Sequence, residues 1–451
     1  MRERSRYAVG RAVPLAILAA HLAAQPHGAA MPLEVPTVRY RLDNGMTVIL
    51  APEAASEIVA VRLVYHVGSR DEVSGATGLA HLFEHMMFNG ATRYGPKQFD
   101  AVLERAGGYG NAYTRNDYTT YFTEVPPQSL PRVLDLESDR MVDLSLDQDM
   151  LERERQVVLQ ERRQTIENQP EMLLDTLLAA SLFQTHPNRW PVLGWVADIE
   201  SADVGTCRAF YRRFYAPDNA TLVLAGAIDV EAVRADVAAA FGGLPRGPGA
   251  RVAVAAEPER THASRILLER EAAAPLLLIG FVGPNARAAE HAALDLLAEV
   301  LVRGQTARLE RRLVRADRTV TSLALRHDWT LDQEPLVLSL TLAPRQDADA
   351  VIEAVFAEID RLVAEGVDDA ELSRARVGAS TSILRGLATA TGRADLLAQF
   401  EVTVGDHRAC LDLPQRYAEV DSGSLQAVAK QILRRDRAAI AELRPRSEVG
   451  R

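Results

Sequence analysis

The stretch that most restricts how this chain can fold is HLFEHMMF, from His81 to Phe88. Wound as an α-helix at about 100° per residue, it puts Leu79, Leu82, Phe83, Met86 and Met87 on one side, at the i, i+3, i+4, i+7, i+8 spacing of a core-facing helix. His81, Glu84 and His85 land together on the other side, because residues three and four apart stand one turn up on the same face. A solvated face ordinarily carries Lys, Arg and Glu. This one has neither Lys nor Arg and sets two imidazoles beside a carboxylate, the donor chemistry that Zn²⁺ prefers. The order H-x-x-E-H mirrors the H-E-x-x-H zinc-binding helix.

At 451 residues the chain is too long for one ordinary core and implies two to three domains. The formal net charge is −10, and residues 1–30 set Arg2, Arg4, Arg6 and Arg11 against Glu3, so the remainder is more acidic still. That balance excludes a nucleic-acid binder, whose phosphate contacts need a basic surface. The arginines precede an apolar block from Ala12 to Ala24 and then Gly28, Ala29 and Ala30, the layout of a cleaved signal peptide over residues 1–30. The block is too short for a stable anchor, and no later stretch reaches the roughly 20 apolar residues of a membrane span. The expectation is a secreted or periplasmic protein. A mitochondrial presequence is the runner-up, which Glu3 and the unbroken apolar block fit poorly. Cys207 and Cys410 stand far apart in sequence and read as two buried thiols.

From Val38, VRYRLDNGMTVILAP reads as a strand hairpin turning at Asp43-Asn44-Gly45. The apolar strand IVAVRLVYHVGS then leads into the His81 helix, which stops near Asn89-Gly90. Phe99 to Arg105 reads as a short helix, GNAYTRNDYTTYFTEVP as a strand pair, and Leu130 to Leu144 as an amphipathic helix. A long charged helix runs from about Asp147 to Asn168, and Pro170 closes it. More helix, the loop HPNRWPVLGW and the strand TLVLAGAI follow. The Pro/Gly-rich stretch 242–263 reads as a linker. Beyond it come a strand LLLIGFVGP, a helix near His291 to Val302, strands near Val320 to Trp329 and in LVLSLTL, and helices around Ala348 to Ala364 and Asp369 to Leu387. This order suggests a second copy of the first layout without its metal motif.

Four motifs occur in sequence: GLAHLFEHMMFNG, GGYGNAYTRNDYTTY, RERQVVLQER and FYRRFYAPDNATLVLAG. In that order and at those intervals they resemble the pitrilysin/insulinase and mitochondrial processing peptidase family of zinc metallopeptidases, the inverzincins. The resemblance runs from about Val38 to the C-terminus. It implies an α+β fold of two homologous α/β-sandwich domains, residues 31–241 and 264–451, each a mostly antiparallel sheet with helices on one side, together half of a clamshell chamber. It also implies a third metal ligand about 76 residues past the second His, which is Glu161 here, with Glu154 two turns earlier on the same helix face. His81, His85 and Glu161 would then hold one Zn²⁺ per chain and leave a position open for water. Glu84, not needed as a ligand, would serve as general base, and Glu154 would orient a ligand or water. Asn111 and Ala112 match the segment that binds substrate as an added strand; on the residues alone, Asn111 reads equally well as a turn residue beside Gly110. Tyr113, Tyr118 and Tyr121 read as sheet residues.

One departure bears on the partner. Self-sufficient members carry an Arg and a Tyr seven residues apart, across the cleft, that help hold substrate. The corresponding stretch RRLVRADRTVTS offers Val314 and Thr321, and no Tyr lies between Tyr215 and Tyr417. The full family architecture has four such domains, and this chain has length for two. The resemblance therefore implies a heterodimer with a related subunit carrying the Arg/Tyr pair, rather than a homodimer. The expected activity is endopeptidase cleavage of short unfolded peptides. The rivals are a catalytically silent structural subunit of a complex and a site-specific processing peptidase.

Overall fold

The Asp43-Asn44-Gly45 turn forms because Gly45 takes a φ of 95°, costly for a side chain bearing a Cβ. It folds β1 (Val38–Arg41) back on β2 (Thr47–Pro52). In this computed structural model the described residues are 33–446 apart from 97, 250 and 252, so the leader expected over residues 1–30 lies outside them. No helix among the described residues is long and apolar enough to cross a membrane.

With β3 (Val59–Tyr65), β4 (Tyr109–Thr114), β5 (Thr119–Val125) and β6 (Ala220–Gly226), the hairpin forms a six-stranded sheet in the order β1-β2-β6-β3-β5-β4. All pairs are antiparallel except β2 with β6. One face, including Leu50, Val61, Leu63 and Leu222, packs on α1 (Leu79–Met86), α2 (Gln98–Ala106), α3 (Leu130–Val142) and α4 (Gln148–Arg162). After α5 (Pro170–Leu182), the same layer receives α6 (Val196–Ser201), α7 (Val204–Phe214) and α8 (Val230–Phe241).

The second half repeats the plan. Its strands are β7 (Ser264–Arg270), β8 (Leu276–Val282), β9 (Val320–Arg326), β10 (Pro335–Leu342) and β11 (Ala439–Pro445), in the order β7-β11-β8-β10-β9. Here too one pair is parallel, β7 with β11, at the place that β2 and β6 hold in the first sheet. The helix α9 (His291–Leu301) follows β8 as α1 follows β3. Then come α10 (Ala348–Glu365), α11 (Asp369–Leu387), α12 (Ala390–Thr403), α13 (Leu413–Glu419) and α14 (Ser422–Ile432).

Each half also receives a helix from the other. The α5 residues Leu174, Leu178 and Leu182 bury against Leu278, Val337 and Ala441 of the second sheet. In return α12 lies on β3 and β6, bringing Leu397 and Ala394 to the face that carries Ile49, Val64 and Val223. Both sheets are thereby buried on two faces, which explains why β3 and β6 are buried throughout and mostly apolar instead of alternating.

Polar ties pin α12. Arg62 Nε lies 2.5 Å from Asp395, and Arg39 lies 2.6 Å from Glu401. Burial opposes ionisation of Glu401, but the nearby His407 and Arg39 side chains outweigh it and hold its carboxyl down to about 2. A carboxyl whose folded pKa is depressed adds stability above its unfolded pKa of about 4.3 and loses it as pH falls through the folded value. The stability gap between the native protein and Glu401→Gln, from urea unfolding, is therefore expected to be full near neutrality and to close between about pH 4 and pH 2. A gap independent of pH would remove Glu401 from that role.

Candidate metal centre

The position of α1 is set from both ends. Leu82 and Phe83 are fully buried, and Phe83 stacks against Phe210 and Tyr211 of α7 at centroid distances of 5.3 and 6.1 Å. At its start Gly78 has a φ of 87°, and a Cβ there would come within 2.8 Å of the Leu193 carbonyl, so the loop HPNRWPVLGW can lie against the helix N-terminus. The carboxylate of Glu72, buried beside it, accepts hydrogen bonds from the Gly78 and Ala80 amides, each at 2.8 Å. These amides would otherwise be buried donors without partners. Glu72→Ala is expected to lower stability by about 2–6 kcal/mol in urea unfolding, at about 1–3 kcal/mol for each of the two orphaned amides. A loss below about 0.5 kcal/mol, the usual reach of a surface change, would make this cap dispensable.

The polar face so fixed meets α4. Asp147 caps α4 by accepting from the Met150 amide at 2.8 Å, and Met150, Leu151, Val158 and Leu159 are its buried side. Glu154 and Glu161, two turns apart, face α1. Glu161 Oε2 lies 3.1 Å from His85 Nε2 and 3.7 Å from His81 Nε2. Glu154 Oε2 lies 3.7 Å from His85 Nδ1, on the ring's other nitrogen. Donor atoms of His81, His85 and Glu161 all lie within 4.8 Å of one another. Two residues after Glu161 the backbone widens into a π-helical turn, Arg163–Glu167, a distortion often found at functional sites.

The electrostatics suit a cation. His81 Nδ1 and Glu161 Oε2 are buried with no hydrogen-bond partner among the described residues. Burial, helped by the neighbouring His85, pushes His81 down to about 4, so its ring is neutral and has a lone pair to donate. The His85 imidazole holds Glu161 below the usual carboxylate range. Burial disfavours the charged form of His85, but the surrounding carboxylates outweigh it and raise its pKa.

Glu84 stands on the same face, outside this trio. Its Oε2 accepts a hydrogen bond of 2.6 Å from Thr114 Oγ1. Burial is the largest influence on Glu84 and its carboxyl sits above the ordinary range, although Thr114 and His85 pull the other way. Thr114 ends β4, the edge strand of the first sheet, whose ladder among the described residues pairs with β5 alone. Asn111 and Ala112 are on that strand: Asn111 is exposed, and its side chain accepts from the Ala112 amide at 2.8 Å. A cavity of about 450 Å³ runs from Thr114 and Glu161 past Trp190 to Arg326 and Val337 of the second half.

Residues 47–194 match the family model described as Insulinase (Peptidase family M16), and residues 203–378 match the Peptidase M16 inactive domain. The chain belongs to the M16 peptidase family. It is 27% identical over 421 residues to the Zinc protease PqqE of Helicobacter pylori, covering 90% of this chain and 92% of that one. It is 28% identical over 401 residues to an uncharacterized zinc protease of Mycobacterium tuberculosis, covering 88% and 91%. The crystal structure of a protease from Helicobacter pylori superposes with a TM-score of 0.86 at 25% identity, over 91% of this chain and all of that one. Pitrilysin shares the fold at 20% identity and a TM-score of 0.74, and this chain spans 46% of its length. The M16 fold seen here is thus the half-chamber, an α+β pair of repeated domains.

Two residues of the M16 centre are absent from the sequence reading. Thr114 could have been found, since it lies two positions beyond Ala112 on the same side of β4. Glu72 had no signal, because a carboxylate reaching a helix N-terminus across a loop leaves no fixed spacing. Of the pair at the departed position, Val314 lies on the segment Glu310–Ala316 and Thr321 on β9, and neither lines the cavity.

Proposed function

We propose that this chain is a zinc endopeptidase subunit, secreted or periplasmic, that cleaves short unfolded peptides in a chamber completed by a related partner. The observation that carries the reading is the arrival of Glu161 from α4 beside His81 and His85 of α1. The orphaned atoms and the nitrogen-plus-carboxylate donor set fit zinc, and three protein ligands leave a position free, as catalytic sites require. Zinc held by His81, His85 and Glu161 would supply Lewis acidity, lowering the pKa of a water and polarising the scissile carbonyl.

The remaining work falls to the chain. Glu84, its carboxyl held above the ordinary range chiefly by burial, takes the proton of the attacking water and passes it to the departing amine. Thr114 holds that carboxylate in place, and Glu154 orients the His85 ring through its second nitrogen. The free edge of β4, at Asn111 and Ala112, pairs with an extended peptide through backbone hydrogen bonds, which selects conformation more than sequence. His81→Ala is expected to abolish the zinc held at this centre, measured as metal per chain. Full retention by that folded variant would refute the ligand assignment. N-terminal sequencing of the mature protein tests the leader: a start after about residue 30 is expected of a cleaved signal, and a start before about residue 20 contradicts it.

A further inference from the structure

The second half contains another buried group of ligand-type side chains, which no part of the M16 chemistry uses. His291 opens α9, the counterpart of the metal helix α1, while His327 and Glu334 lie in the connection from β9 to β10. Their donor atoms lie within 4.8 Å of one another, as do those of His81, His85 and Glu161. His291 Nε2 is 3.7 Å from Glu334 Oε1, and both side chains have zero exposure.

The hydrogen bonding of this group is incomplete. Glu334 Oε2 accepts from the Asp328 amide, and His291 Nε2 approaches the Asp328 carbonyl at 3.4 Å. His291 Nδ1, both ring nitrogens of His327 and Glu334 Oε1 are buried with no hydrogen-bond partner among the described residues. Each such group costs about 1–3 kcal/mol when left unpaired, and a cation shared by the three side chains would remove much of that cost at once. Asp295, one turn beyond His291, accepts from the Tyr417 hydroxyl at 2.7 Å and sets its other oxygen 3.5 Å from His327 Nε2, where it can fix that ring. Trp329 packs on His291 with ring centroids 3.9 Å apart and is backed by Phe400 at 4.8 Å, an apolar cover over the group.

We propose that His291, His327 and Glu334 bind a second divalent cation, zinc by the character of the donors, at a buried site inside the M16 inactive domain, with a fourth position left for water. Two imidazoles and one carboxylate make a donor set of the same kind as the first centre, but with no face open to substrate. The ion ties α9 to the β9–β10 connection.

The test uses the full chain carrying His81→Ala and His85→Ala, which empties the first centre and leaves the second half untouched. Produced in zinc-supplemented medium and dialysed against metal-free buffer, this variant is expected to retain one zinc per chain by elemental analysis. Its cobalt-substituted form is expected to show the strong visible bands of tetrahedral coordination. A folded variant with no bound metal overturns the proposal. Adding His327→Ala, or Glu334→Gln should that variant fail to fold, is expected to bring the content near zero. Retention of the metal by a folded triple variant would place the ion elsewhere and overturn the assignment.

Discussion

Replacing Glu84 by Gln is expected to leave zinc bound and to lower peptide hydrolysis by about 10²–10⁴-fold, the usual contribution of a positioned general base. Glutamine keeps the size of the side chain and can still accept from Thr114 Oγ1, now 2.6 Å from Glu84 Oε2, so the local structure has little reason to move. It cannot take a proton. The ligands His81, His85 and Glu161 are untouched, so metal content separates loss of the base from loss of the site. Turnover of short peptides by the zinc-loaded variant in the presence of the partner is the measurement. A rate equal to that of the native protein would take Glu84 out of the mechanism.

The isolated chain is expected to bind zinc yet cleave peptides slowly, and adding its native partner is expected to raise the rate by about 10²–10³-fold, the effect of one missing donor to the developing oxyanion. The physical ground is what lies across the cavity. The second half offers Arg326, Asp328, Pro335 and Val337 to it, with Arg326 already engaged 2.5 Å from Asp175. Val314 and Thr321 stand where self-sufficient relatives are expected to carry Arg and Tyr, and neither can donate to a substrate carbonyl from the cavity wall. The pitrilysin structure, of which this chain spans 46%, holds such a half within a longer chain. Co-purification from the native source, followed by peptide cleavage with and without the captured subunit, tests this. Full activity of the lone chain would contradict it.

The parts of this structure that were legible in advance are those governed by local chemistry. The two-faced α1, the Asp43-Asn44-Gly45 hairpin and the β4–β5 pair each announce themselves through spacing or turn residues a few positions apart. Glu161 is different. It sits on a helix charged on most sides, and only the resemblance, through the interval from His85, singled it out; the packing of α4 then places it at 3.1 Å. The exchange of α5 and α12 between the halves left no trace, because the periodicity of Leu174, Leu178 and Leu182 tells that one side is buried and not which sheet covers it. The strands β7 and β11 were missed for a related reason. Their residues alternate only partly, and β11 is completed by pairing with β7, more than 160 positions away in sequence.

The convergence of two neighbouring imidazoles with one distant carboxylate underlies the whole functional reading. Diffraction from crystals of the zinc-loaded protein, recorded on either side of the zinc absorption edge, tests it most directly. An anomalous peak is expected between α1 and α4, about 2.0–2.2 Å from a nitrogen of His81, a nitrogen of His85 and a carboxylate oxygen of Glu161. An ion held by the imidazoles with Glu161 turned away, or no ion at that face, would contradict it.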